Sequence, residues 1–539
     1  GGAFDGKNGW AGIAAGNSEL SIAVLGGGGG SGSHSHGALG TAGGKGGGII
    51  FFFSRQTTVV GIIEAKGQNG GDTNTGGYSS TGGGGAGGSI KIAGQTIQLG
   101  TNLINASGGN GGVVYNGEHT GGNGGNGRIR VEYGTVSGTT NPSYSPLQVN
   151  YYNITGQSAP FGVFGNGSEG DLLVANGETK YTDDVRSALA STAAAGQSDV
   201  TVTNATGFAT GQEVLVIQVQ GTGAGNYEFA AISDVVGNTI TLSQSLGNAY
   251  SVGGNSKAQV IRVLQYHDVA VQAGGILTAH AWNGNSGGIV AFRSTGVVTI
   301  EGTISANGSN GSTAYPSAAG GTGGGFRGGA SDSTVPPNQA NQGEGTSGAS
   351  GASTSANGNG GGGGYISGAN YGNGGGGGNA STGTTGGAGT GSGNTVDTYI
   401  GGAGGGTDGS ADLTTMVFGG GGGGNAVVNS NLSASGGSGG GIIFLFGTDI
   451  VVAGAITSNG GNGGVNGGNI GGAGAGGSIL LKALTATLGS GLITANGGTG
   501  GGEGRIRIEY GTLSGSTNPA ASTSQVNFYN LTGSATNQL

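Results

Sequence analysis

Histidine is the side chain that moves protons most readily near neutral pH, and the 539-residue chain has five: His34, His36, His119, His267 and His280. His34 and His36 stand two residues apart in a glycine loop, spaced to touch a metal. Two ligands are short of the three or four a zinc site needs, and no acidic cluster lies nearby in sequence. A solvated loop is the plainer expectation. His267-Asp268 offers a possible acid–base dyad on a strand. His280-Ala-Trp282 places two rings on one strand face, which points to packing ahead of a sugar platform. Asp183 and Asp184 sit at the start of the one segment with helical spacing, Tyr181 to Ala195, where Val185, Leu189 and Ala193 recur. Acidic residues favour the positive end of a helix dipole, so their expected role is structural.

No other motif adds chemistry. Gly-x-Gly-x-x-Gly matches are frequent because composition creates them, and no Walker-type Gly-Lys-Ser/Thr follows. The recurrent paired carboxylates of a glycosidase are not seen along the repeats. Asn-x-Ser/Thr triplets occur at Asn105, Asn153, Asn204, Asn310 and Asn530, with Asn153 and Asn530 in matched places, so glycan attachment there is conceivable. Catalytic, cofactor-binding and metal-ligating residues are therefore expected to be none, and the chain is expected to be non-enzymatic and without cofactors.

What must position the remaining side chains is set by composition. Glycine supplies 141 residues, about a quarter, and proline only 7, without a strict Gly-X-Y period, so collagen is excluded. Charged residues make up 8% and the net charge is −9. That is too few charges for a solvated disordered chain. There is no basic stripe for nucleic acid, and no apolar run approaches the roughly 20 residues that span a bilayer. With no cysteine, disulfides and thiolate metal sites are both absent. The chain opens at Gly1 without a visible signal peptide, and a processed or partial product is expected.

Repeats organise the rest. Residues 127–156 (GRIRVEYGTVSGTTNPSYSPLQVNYYNITG) return at 504–533 (GRIRIEYGTLSGSTNPAASTSQVNFYNLTG) with 21 of 30 positions identical. GGGIIFFF at 46–53 returns as GGGIIFLF at 439–446, and AGGSIKI at 86–92 as AGGSILL at 475–481. In the second copy, segments at 287–308, 440–460 and 476–497 each hold three short β-like stretches and end in an Asn-Gly, and the first copy gives two more, at 47–67 and 87–108. Rungs of about 21 residues with three strands predict an all-β, right-handed parallel β-helix, with a φ-tolerant residue at one corner. In the closing strand Ile506, Ile508 and Tyr510 should face the core, and Arg505, Arg507 and Glu509 the other side, as Arg128, Arg130 and Glu132 do in the first copy.

Three regions follow: a partial glycine-rich solenoid repeat at 1–156, a small β-barrel or sandwich module at 157–265, and a full repeat at 266–539. The last carries a long glycine-rich insertion at about 309–438. Such a stretch is either a flexible linker or an ordered bundle of polyglycine-II-like helices, three residues per turn, bonded to one another. Anchorage at rung corners and scattered apolar residues such as Phe326, Tyr365, Tyr371, Tyr399, Met416 and Phe418 favour order.

The segments AHAWNGNSGGIVAF, VTIEGTISANG, GGAGAGGSILL and GRIRIEYGTLSGSTNPAASTSQVNFY resemble those of large secreted bacterial glycine-rich repeat surface or fibre proteins. The glycine runs are also similar in composition to those of bacteriophage tail-tip adhesins. The resemblance implies an extracellular or cell-surface location and an architecture, not a reaction. The expected function is a self-assembling fibre, stalk or filament subunit, joined head to tail with its own copies. The alternative is a surface adhesin that binds glycans or a receptor through loop aromatics such as Tyr315, Tyr365 and Tyr371.

Overall fold

The computed structural model describes residues 15–18, 20, 22–32, 40–54, 56–73, 81–113, 120–148, 150–153, 161–314, 324–332, 339–366, 371–388, 401–427 and 430–529. Two compact units emerge, residues 1–152 with 526–539, and residues 153–525. Among the described residues every regular element is a strand except one turn of 3-10 helix, Ser430–Leu432. None is a helix long and apolar enough to cross a membrane.

The larger unit is a parallel β-helix. Leu172–Val174 and Thr179–Tyr181 pair in parallel with Val269–Val271 and Ile276–Thr278. These stack in turn on Ile289–Ile300 and Thr303–Ser305, then Ile442–Val452 and Ala455–Thr457, then Ser478–Thr494 and Arg505–Asn518. Alternation sends one residue in two inward. Val290, Phe292, Ile443, Leu445, Ile479, Leu481, Ile506 and Ile508 form one continuous buried core. On the opposite face Glu509 meets Lys482 at 2.9 Å and Arg507 at 3.7 Å, as the alternation requires.

The Asn-Gly corners do not use the left-handed φ expected of them: Asn307, Gly308, Asn459, Gly460, Asn496 and Gly497 all lie outside that region, and the asparagine side chains act instead. Asn307, Asn459 and Asn496 stack one above another. The side-chain oxygens of Asn307 and Asn459 accept the backbone N–H groups of Asn459 and Asn496, at 2.7 and 2.8 Å. Asn310, Asn462 and Thr499 form a parallel row at 2.9 and 2.8 Å.

Between the first rungs the chain leaves to build a closed antiparallel barrel. Arg186–Ala188 pairs with Lys257–Tyr266, which pairs with Glu213–Gln220. From there the order runs through Tyr227–Val236 and Thr239–Leu242 to Asp199–Thr201, and a Leu189–Val202 bridge closes the ring. The barrel has its own core, including Val200, Val216, Ile232, Ile240 and Tyr250. Its last strand continues into the solenoid, where Leu264–Tyr266 pairs in parallel with Phe292–Ser294. The module expected over 157–265 thus begins after a solenoid rung that the sequence hid within it. The helix expected from Tyr181 to Ala195 does not form. Thr179–Tyr181 and Arg186–Ala188 are strands, because rung and barrel ladders supply pairing that outweighs the modest local preference of an Ala-rich stretch.

The insertion at 309–438 is ordered where it is described. Residues 419–426 run as an extended strand whose N–H groups point three ways in turn. Gly419, Gly422 and Asn425 donate to Gly440, Gly437 and Ala434; Gly420, Gly423 and Ala426 donate to Gly378, Gly375 and Gly372; Gly421 and Gly424 donate to Glu344 and Asn341. Its carbonyls accept from three further segments, for example Gly361, Gly329 and Gly472. A period of three with six bonded neighbours is the polyglycine II arrangement in a hexagonal lattice. Side chains are barred from it: a Cβ on Gly423 would lie 1.9 Å from the Gly362 carbonyl oxygen.

The smaller unit repeats the plan. Ile49–Phe53, Gln56–Thr58 and Ile63–Glu64 stack on Ser89–Asn105, which stacks on Arg128–Asn141. Ile90, Ile92, Ile97, Leu99 and Val131 fill the core. Glu132 meets Lys91 at 3.0 Å and Arg130 at 3.5 Å, matching the second copy.

Candidate functional site

Three stacked rung ends, Tyr181, Thr278 and Ser305, are held in register by the parallel ladders. Two residues beyond Thr278, the His280 ring lies over the Tyr181 ring, centroids 4.2 Å apart at 24°. These side chains, with Thr278, Ser305, Asn307 and Gly324, line a cavity of about 310 Å³. Tyr181 is 41% exposed, so its ring forms an open wall.

Asp183 fixes the platform. Its carboxylate is wholly buried and accepts the His280 backbone N–H at 2.8 Å, with His280 Nδ1 2.9 Å from the same oxygen. Arg186 donates from Nη1 to the Asp183 carbonyl at 2.8 Å, and its Nε lies 3.6 Å from the other carboxylate oxygen. Burial pushes the Asp183 carboxyl above its ordinary range, opposed by the His280 hydrogen bonds and by the charges of Arg186 and His280. Asp184 stays exposed, 3.8 Å from His280 Nε2. Asp183 is thus no helix-dipole residue but the buried post that aims an imidazole. The pair is 97 residues apart in sequence, and only the rung register unites it.

The other expectations resolve as follows. Trp282 points away from His280 and packs against Phe418 and Phe326, with Nε1 donating to buried Glu344 at 3.1 Å. His267 joins Asp268 at 3.5 Å and also Asp171 at 2.9 Å. The Asp171 carboxyl is held below its ordinary range, chiefly by that hydrogen bond. Both carboxylates are committed to a chain corner: Asp171 accepts the Asp268 N–H at 3.1 Å, and Asp268 the Val297 N–H at 2.7 Å. Tyr365 and Tyr371 are half-buried, with no ring contact between them among the described residues. His34, His36, His119, Tyr315, Tyr399 and Asn530 lie outside the described residues, as does the side chain of Asn153. Asn105 and Asn204 use their side-chain oxygens in local turns, accepting from Ser107 and Thr206 at 2.9 and 3.0 Å.

A stacked aromatic wall beside hydroxyl and amide groups in an open cleft is chemistry able to hold a flat-faced, hydroxyl-bearing molecule.

No family model and no curated protein matches this sequence. Among solved structures, the chain is similar to the Gp54 tailspike of Acinetobacter baumannii bacteriophage AP22, solved in complex with A. baumannii capsular saccharide. The identity is 10% over 82% of this chain and 65% of that one, with a TM-score of 0.16. It is also similar to the tailspike protein gp49 of Pseudomonas phage LKA1, at 10% identity over 81% and 65%, with a TM-score of 0.14. The chain thus spans 65% of the length of each tailspike. At these scores neither likeness bears on which residues act here.

Proposed function

We propose that this chain is an extracellular, non-enzymatic surface protein of the adhesin type, a stiff scaffold that presents the Tyr181–His280 cleft to a carbohydrate. The stacked pair carries the reading. An exposed ring offers its face to the C–H face of a sugar. Thr278, Ser305 and Asn307 line the same cavity with hydroxyl and amide groups able to exchange hydrogen bonds with sugar hydroxyls. Asp183 and Arg186 hold the imidazole in place, and pre-organisation of this kind spares a ligand the cost of ordering the site.

The fibre or stalk reading describes the scaffold. Parallel rungs and a bonded glycine lattice leave few backbone groups free and give a stiff spacer that needs neither charge networks nor cysteine.

The test is a glycan array probed with the labelled chain, followed by titration of the best hit. Tyr181→Ala should lose at least tenfold in affinity while keeping its thermal transition, and Tyr371→Ala should bind as the parent. Unchanged binding by Tyr181→Ala would remove the cleft from the reading. Conversion of the bound glycan, seen by mass spectrometry, would overturn the non-enzymatic part.

A further inference from the structure

The Tyr181–His280 cleft is edged by charge of one sign. Of the two carboxylates beside it, Asp183 is wholly buried and spent on His280. Asp184 is not. Its side chain is 73% exposed, and its one ion-pair contact among the described residues is with His280 Nε2, at 3.8 Å. The cations nearby are already engaged. Arg186 Nη1 donates to the Asp183 carbonyl at 2.8 Å, and its Nε lies 3.6 Å from the Asp183 carboxylate. Lys180, on the same rung as Tyr181, donates to the Leu173 carbonyl at 2.7 Å and meets Glu178 at 3.3 Å. With the imidazole neutral, two carboxylates face one guanidinium, and the negative charge in excess is the exposed one.

The ring nitrogens sharpen this bias. Asp183 Oδ1 accepts the His280 backbone N–H and lies 2.9 Å from Nδ1, so Nδ1 is the ring nitrogen that carries the proton. Arg186 Nη1 also comes within 3.0 Å of Nδ1, but its acceptor is the Asp183 carbonyl. Nε2 is therefore left with a lone pair. Nε2 and Asp184 Oδ1 are two acceptors 3.8 Å apart, too distant and of the wrong kind to bond each other. One positively charged group with several N–H donors satisfies both. An ammonium has three donors and no acceptor, and its hydrogen bond to a carboxylate is roughly twice as strong as a neutral one. The exposed Tyr181 ring adds the attraction of an aromatic face for a cation.

Resting on the carbohydrate reading of this cleft, we propose that its preferred ligand is an amino sugar with a free, protonated amine. The ammonium bridges His280 Nε2 and Asp184, and the sugar ring lies against Tyr181. N-acetylation removes the charge and two of the three donors. A uronic acid sets a carboxylate against Asp184. Both are disfavoured.

The test is titration calorimetry with three oligosaccharides of equal length at one pH and one salt concentration: glucosamine oligomers, their N-acetylated forms, and oligomers containing glucuronic acid. The glucosamine oligomer should bind about tenfold tighter than its N-acetylated form. Asp184→Asn should abolish that preference while leaving the affinity for the N-acetylated form and the thermal transition unchanged. Asp234→Asn removes the same charge from an exposed position on the barrel and should keep the preference. It separates the site from a general attraction of polycations to a chain of net charge −9. Tyr181→Ala should weaken both forms together. Three results would overturn the inference while Tyr181-dependent binding leaves the carbohydrate reading standing: equal affinity for the amine and N-acetylated forms, tighter binding of the uronic-acid oligomer, or a preference that Asp184→Asn and Asp234→Asn change equally. Absence of Tyr181-dependent binding by all three would overturn it as well, and the glycan array then decides the carbohydrate reading separately.

Discussion

The backbone N–H of Asn496 donates to Oδ1 of Asn459 at 2.8 Å, and that of Asn459 to Oδ1 of Asn307 at 2.7 Å. The sequence intervals are 37 and 152 residues, yet the geometry is the same. The 309–438 insertion accounts for the longer interval without disturbing the rung. Asn307 and Asn459 each cap the rung that follows, so the ladder carries register across three rungs. Asn459→Ala leaves the Asn496 amide without its acceptor. A loss of about 1–3 kcal/mol is expected, read as a lower denaturant midpoint.

The glycine lattice makes a sharper prediction. At Gly423 an added Cβ meets a carbonyl oxygen at 1.9 Å, whereas at Gly387 it meets nothing within 4 Å. Gly423→Ala must push two bonded segments apart, with a cost of about 1–3 kcal/mol or more. It should also accelerate amide exchange in 361–364 and 372–378. Gly387→Ala should be neutral or stabilising by up to about 1 kcal/mol, since it restricts only the unfolded chain. Equal effects at the two positions would contradict an ordered lattice.

The rungs were legible because alternating Ile, Val and Leu mark an inward face, and because repeated Asn-Gly corners mark the turns. The partners within the glycine lattice were not. Gly423 bonding to Gly375 leaves no trace in sequence, since neither residue has a side chain to pattern. The site was hidden for a different reason. Tyr181, Asp183 and Arg186 sit in an Ala-rich stretch whose helical spacing is real but weak, while their partners His280 and Thr278 lie about a hundred residues on. The ladder that joins them is read only from coordinates. His280 and Trp282 do not share a strand face as their spacing suggests: Asp183 turns one toward the cleft and Glu344 holds the other in the core.

Glu213 and Arg293 form the buried joint between barrel and solenoid. Arg293 Nε and Nη2 donate to the Glu213 carboxylate at 2.7 and 2.8 Å, and the guanidinium lies 4.7 Å from the Phe229 ring and 4.9 Å from the Phe446 ring. Arg293→Met strands a buried carboxylate, so a loss of about 3–5 kcal/mol is expected. Adding Glu213→Leu should recover most of it, because the charge no longer needs a partner. A double variant as unstable as the single would mean that the cost lies in packing against Phe229 and Phe446 and not in the charge.

Asp183 makes stability depend on pH in a stated direction. Burial raises its carboxyl pKa in the folded chain above the ordinary 3.8. Between that value and the raised one, the folded state holds a proton that the unfolded state has released. Stability therefore falls as pH rises through this window, and the contribution is fully present only below it. Asp183→Asn removes the titrating group while keeping an oxygen to accept the His280 N–H. Denaturant midpoints measured stepwise upward from pH 3.8 should decline less steeply for Asp183→Asn than for the parent. Parallel curves would mean that the Arg186 and His280 charges hold the Asp183 carboxylate ionised throughout, with its burial already offset.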